Sequence, residues 1–388
     1  MSTARHIENY LTENRENMVL LLKQLVAEET PSSDKEAQNQ ILLLLKETLE
    51  ELDFYVCIVS GKRTGGYLYA RPQKRVKCQP IQLMVGHCDT VWKKSTLEQM
   101  PIKEADDKIT GPGIFDMKAG LVQMIFSIKA LKELGLPCKV TPVLLINSDE
   151  EIGSIESTGM IKRLSKLANR AYILEPPLGL NGRLKTARKG IGKFILTIKG
   201  KSAHAGLNPD RGVSAIVELS YHIQKLFSLN DFEKGITVNV GMIEGGSSAN
   251  VIAAESKAMI DVRVHNLEDA DFITQKIMGL KPIHADSELT VEGRFGRPPM
   301  EKTPRNRKLW RLAKDAGRTI NLNLKEATAG GGSDGNTTSL YTATLDGLGT
   351  VGDGAHAKHE FIFTEKLVER TALLTLLLSA DPLVETKI

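Results

Sequence analysis

Two adjacent glutamates, Glu150 and Glu151, stand in the stretch SDEEIGS at residues 148–154, directly after the apolar run TPVLLIN. Like charges side by side at the mouth of a strand repel, so something of opposite charge has to hold them. The same kind of residue recurs after other apolar runs. GHCDTV carries His87 and Asp89, GPGIFDMKAG carries Asp116, LEPP carries Glu175, and GDGAHAKHEF carries His356 and His359. A collection of carboxylates and imidazoles drawn out of water is costly unless cations or hydrogen bonds compensate. Two divalent cations would neutralise four carboxylates. Asp89, two residues beyond His87, is placed to hold the other ring nitrogen of that histidine. Cys88 between them points to the opposite face of a strand and is set aside as a ligand.

The elements that must position these groups are legible as alternating apolar runs and amphipathic stretches. Residues 6–27, 35–52 and 119–135 have helical spacing, and 81–87, 138–147 and 170–177 read as buried strands. Strands alternating with helices predict an α/β fold, a mostly parallel sheet with helices on both faces. In such sheets chemistry collects beyond the carboxyl ends of the strands, which is where the candidate residues fall. From residue 187 the pattern changes to half-exposed strands, GKFILTIKGK and AESKAMIDVRV, with helices between and after them. The α/β pattern resumes after GRPPM, with helices at 304–317 and 364–379. The expected organisation is a discontinuous domain, 1–186 and 300–388, with a smaller α+β domain, 187–299, inserted into it. Hinges near 186–190 and 299–302 would let the inserted domain close.

Composition excludes several classes. The chain has 388 residues, 41% hydrophobic and 25% charged, with a net charge of +4. Its lysines are scattered among acids, the densest basic run is RPQKRVK at 71–77, and no nucleic-acid motif is present. No apolar run reaches the ~18 residues of a membrane span. The N-terminal stretch has acids before its apolar run and no small-residue cleavage site, and the four cysteines form no C-x-x-C pair. Both features point to a cytoplasmic protein with reduced thiols.

The ordered set GHCDTV, GPGIFDMKAG, SDEEIGS, EPP, SAHAG and HAKHE resembles the M20 metallopeptidase family, along nearly the whole chain. That family includes glutamate carboxypeptidase, acetylornithine deacetylase, succinyl-diaminopimelate desuccinylase and peptidase T. The resemblance implies a catalytic domain of the zinc-peptidase type and a centre of two zinc ions, with cobalt or manganese as substitutes. Asp116 would bridge them, His87 and Glu175 would complete one site, and Glu151 and His356 the other. Glu150 would be the general base, and Asp89, as the partner of His87, counts with the catalytic residues. His356 rather than His359 matches the family pattern, because Glu360 and Phe361 follow it at the right distance. His204, in GKSAHAG, would reach the active site of the partner subunit and donate to the oxyanion, so the resemblance also implies a homodimer joined through the inserted domain.

Asn250, Arg297 and the backbone of Gly330–Gly332, here including Gly331 and Gly332, resemble the parts that hold the free α-carboxylate in glutamate carboxypeptidase. Arginine forks and glycine-rich turns both suit an anion. Arg263 is open between a structural ion pair and a substrate contact. The expected activity is metal-dependent amide hydrolysis releasing a glutamate-like C-terminal amino acid from a peptide or N-acyl amino acid. An N-acyl-amino-acid deacylase, such as acetylornithine deacetylase or a desuccinylase, is the alternative on the same metals. A non-catalytic dimeric small-molecule-binding protein is the alternative of another class.

Overall fold

The structure is a computed structural model that describes residues 2–74, 76 and 78–384. The chain forms two compact units. One comprises the chain up to Thr186, Lys302–Ala329, and the chain from Ser333 onward; the other comprises Ala187–Glu301 with Gly330–Gly332.

The larger unit is built on a six-stranded sheet. Its order is Phe54–Val59, Tyr67–Pro72, Thr141–Asn147, Ile81–His87, Ala168–Ile173, Ala343–Leu345. The last four strands pair in parallel and the first two are antiparallel additions at one edge. Each central strand is apolar on both faces because both are covered. Leu83, Val85, Val143, Leu145, Ala171 and Ile173 pack on Ile161 and Leu164 of helix Thr158–Leu167. The intervening Met84, Leu144, Ile146 and Tyr172 face the opposite core with the buried helix Ala119–Glu133. The period of two thus sorts neighbouring residues into two cores. Cys88 falls in the second core with Met84 and is fully buried.

Close approach of that helix to the sheet requires glycine. A Cβ on Gly120 would lie 2.3 Å from the Leu174 carbonyl oxygen, and one on Gly86 would lie 2.7 Å from the Met117 methyl. The long first helix expected from spacing is two helices, Thr3–Glu13 and Arg15–Ala27. Asn14 leaves helical geometry at the junction and its side chain donates back to the Tyr10 carbonyl, 2.9 Å away. The basic run at 71–77 begins at the end of a strand with Arg71 and Pro72; Arg75 and Lys77 lie outside the described residues.

The smaller unit is a four-stranded antiparallel sheet, ordered Thr237–Gly245, Glu255–Val264, Gly190–Lys199, Glu288–Arg297. Phe194, Leu196 and Ile198 alternate inward and pack with Leu219 of helix Ala215–Phe227 and with Ile273 and Ile277 of helix Leu267–Met278. The Gly330–Gly332 turn, read from sequence as part of the larger domain, packs with this unit. The Arg188 guanidinium donates to the Gly331 carbonyl at 3.1 Å.

Candidate metal centre

Three parallel strands end side by side, and each hands over to a polar segment. Strand Ile81–His87 ends on a histidine that is 1% exposed. Its Nδ1 lies 2.9 Å from the Asp89 backbone oxygen, so the proton sits there and Nε2 faces the cluster. Nε2 is 3.2 Å from Asp116 Oδ1 and 3.4 Å from Glu175 Oε1. On the other side, His356 Nε2 is 3.6 Å from Asp116 Oδ2 and 3.2 Å from Glu151. Asp116 therefore turns one oxygen to each histidine. Glu150 joins the same cluster: its carboxylate, His87 and Glu175 each put one donor atom within 4.8 Å of the others, as do His87, Asp116 and Glu151. His359 lines the adjoining cavity.

The loops carrying these residues are held by buried carboxylates. Asp89 is fully buried, and its carboxylate accepts from the backbone N–H of Glu150 and of Glu151, each at 3.2 Å, and from the Ser32 hydroxyl at 2.7 Å. Nδ1 of His87 lies between two Asp89 oxygens, the backbone oxygen at 2.9 Å and the carboxylate Oδ1 at 3.5 Å. Asp149 accepts from the backbone of Glu156 and Ser157 and from the Ser157 hydroxyl. Asp334 accepts from Asn147 at 2.6 Å and from the Ser154 hydroxyl. Glu360 gathers the loop that bears Asp116, through the N–H groups of Gly113, Phe115 and Asp116. Sequence reasoning passed over Asp149 and Asp334; the only signal was their position inside the SDEE and GGGSD stretches already singled out.

Electrostatics show the strain of so much negative charge. Burial by itself pushes the His87 pKa down, yet hydrogen bonds to Asp116, Asp89 and Glu175 carry it well above the ordinary value. The hydrogen bond to Glu151 lifts His356 to about 9. Burial raises Glu151 in spite of that histidine. Burial brings Lys118 down to about 8, and its ammonium donates to the Glu28 carbonyl at 2.6 Å. The donor set of carboxylate oxygens and imidazole nitrogens suits divalent ions such as zinc, cobalt or manganese, with Asp116 between a His87–Glu175 set and a His356–Glu151 set and Glu150 beside the first.

A model of the M20/M25/M40 peptidase family matches residues 83–380. The chain belongs to that family. It is 30% identical over 367 residues to carboxypeptidase G2 of Pseudomonas sp. (strain RS-16), covering 90% of this chain and 86% of that protein. It is 26% identical over 293 residues to the succinyl-diaminopimelate desuccinylase of Aliarcobacter butzleri (strain RM4018), covering 71% of this chain and 77% of that protein. The crystal structure of the aminopeptidase PepT from Bacillus cereus ATCC 10987 superposes with a TM-score of 0.78 at 24% identity, over 94% of this chain and 98% of that one. This M20 chain is a hydrolytic enzyme with a mixed α/β fold.

The residues expected to touch substrate lie in the smaller unit, and they separate into two groups. His204 bridges to Val251, and Ala205 donates to the Asn250 carbonyl at 2.9 Å, so His204 and Asn250 sit together beyond the Lys199 end of strand Gly190–Lys199. His204 Nδ1 accepts from Gly206 and Leu207, which leaves Nε2–H as its donor. Arg297 pairs with Ile191 at the other end of that strand. The stretch from Ile191 to Lys199 measures about 26 Å at ~3.3 Å per residue. The Gly330–Gly332 turn lies at the Arg297 end, where its carbonyls accept from Arg188 and Arg263. The expectation that Asn250 joins Arg297 on one carboxylate is therefore not met within a single chain, because the strand holds them apart. Arg263 forks onto Asp261 at 2.7 and 3.0 Å, a structural pair within one strand.

Proposed function

We propose that this enzyme is a di-zinc hydrolase that releases a glutamate-like C-terminal amino acid from a peptide or N-acyl amino acid. The observation that carries the reading is Asp116, with one oxygen toward His87 and Glu175 and the other toward His356 and Glu151. His87 and Glu175 would hold one ion, Glu151 and His356 the other, with Asp116 shared; cobalt or manganese would serve in place of zinc. When bound, such ions would polarise a substrate carbonyl and lower the pKa of a water to around 7.

The remaining work belongs to the chain. Glu150 takes the proton of the attacking water and returns it to the leaving nitrogen. Asp89 fixes the backbone of both glutamates, so that one carboxylate binds metal while its neighbour handles the proton. A cavity of about 420 Å³ beside Asp116 and Glu175, lined also by Pro177, Lys185 and Asp353, offers room for one side of the scissile amide. His204, with Nε2–H free to donate, would stabilise the oxyanion. Arg297 with Gly331 and Gly332 would take the α-carboxylate, and Asn250 would act beside His204. Because the strand separates these two groups, a substrate touching both needs two subunits, and we read the enzyme as a homodimer. Exposed Met242 and Ile243 on the edge strand, with Val217 and Tyr221 on helix Ala215–Phe227, support the smaller unit as the joining surface. The four unpaired thiols support a cytoplasmic location.

The test is hydrolysis, by zinc-loaded protein, of an N-acyl-glutamate with a bulky acyl group against N-acetylornithine. Turnover of the first alone is expected. Turnover of the second alone would move the enzyme to the deacylases, and turnover of neither by protein that binds two metals would reject the substrate class.

A further inference from the structure

We propose that Glu360 is the positioning residue of the metal centre, its carboxylate being the template on which the Asp116 loop is laid. The inference rests on Asp116 and His356 being metal ligands. Glu360 is 1% exposed and stands four residues after His356. Its Oε2 accepts from Gly113 N and from the Trp92 indole, both at 2.9 Å. Its Oε1 accepts from Phe115 N at 2.9 Å and Asp116 N at 3.0 Å. Four donors fill the acceptor sites of one carboxylate.

Three of them are backbone N–H groups from a segment without a regular ladder. Gly113 sits at φ +70°, and Asp116 departs from helical geometry at φ −115°, ψ 93°. Buried N–H groups must find acceptors, and only an acceptor-only anion can take several at one point. The Glu360 backbone is fixed as well: its N–H donates to Ala357 at 3.0 Å and its carbonyl accepts from Gly111 at 3.4 Å. One residue therefore ties the turn bearing His356 to the loop bearing Asp116, and sets the spacing between the two.

Glu360→Gln keeps the size and removes the template. In either amide orientation, two of the four donors face an NH₂ group. Asp116 is shared, so both zinc dissociation constants should rise together, by the 10–100-fold typical of residues that hold a ligand. Glu360→Asp keeps the anion and should fall between wild type and Glu360→Gln. Trp92→Phe deletes one side-chain donor, leaves the loop contacts in place, and should bind zinc nearly as wild type does.

The full-length protein is stripped with a chelator, and zinc is titrated back against a chromophoric competitor, with melting of the metal-free form followed in parallel. Weakened binding at both sites, with the metal-free melt within a few degrees of wild type and partial rescue in Glu360→Asp, is the expected result. Wild-type zinc constants in a folded Glu360→Gln would overturn the proposal. If that variant does not fold, Glu360→Asp decides: weaker binding supports the template role and equal binding overturns it. Wild-type protein that binds no zinc would instead reject the metal reading, and this proposal with it.

Discussion

Replacing Glu150 with glutamine separates the two roles that its position permits. Its carboxylate lies within 4.8 Å of donor atoms on both His87 and Glu175, close enough to bind an ion or to handle the proton of a nearby water. Glutamine has nearly the same size, and the backbone N–H bond to Asp89 does not depend on the side chain. The fold should therefore be undisturbed. General base catalysis contributes ~10²–10⁴ in rate, or about 3–5 kcal/mol at 1.36 kcal/mol per decade. The upper end is expected here, because in the proposed arrangement every other carboxylate of the cluster would hold metal. Asp116, Glu151 and Glu175 would have their oxygens committed, and the Asp89 oxygens already accept three hydrogen bonds. With the other carboxylates of the cluster so occupied, kcat should fall about 10⁴-fold with both metals retained. The assay is kcat under saturating substrate, with metal per subunit measured by mass spectrometry after dialysis. A normal kcat would remove Glu150 from the mechanism. Loss of one metal together with activity would make it a ligand.

Three further outcomes follow from the same geometry. Asp116→Ala should lose both metals rather than one, as read by metal content after dialysis; retention of one would show that the two sites do not share it. Mixing His204→Ala and Glu150→Gln subunits should restore part of the activity through hybrid dimers, and no rescue after proven subunit exchange would argue against action across the dimer. Glu218 of the smaller unit is buried, which alone would raise its pKa, but the N–H groups of Ile283 and His284 at 2.6 and 3.0 Å, with His222, bring it below the ordinary value. Its folded pKa is the lower one, so its contribution is full above about 4.5, shrinks as pH falls below that, and is gone under the folded value. Glu218→Gln should cost about 2 kcal/mol at pH 7 and progressively less in acid; a pH-independent gap in urea unfolding would contradict this.

Some features were carried by residue type and order alone. His87, Asp116, Glu150, Glu151, Glu175 and His356 could be singled out because strand ends are punctuated by polar residues, and because apolar runs of strand length announce a covered sheet. The sequence also contained a reason to look for cations, since carboxylates and imidazoles gathered at converging strand ends are costly to bury without compensation. Only the tertiary structure decided what holds these groups. Asp89 turned out to clasp the backbone of the glutamate pair, and Glu360 to gather the loop of Asp116, contacts that span up to 247 residues of chain. Such bonds join backbone N–H groups, which are the same in every residue but proline and so leave no mark in the sequence. The separation of Asn250 from Arg297 was likewise invisible, because both look like carboxylate-binding residues. Their distance is set by strand register, a property of pairing and not of either residue.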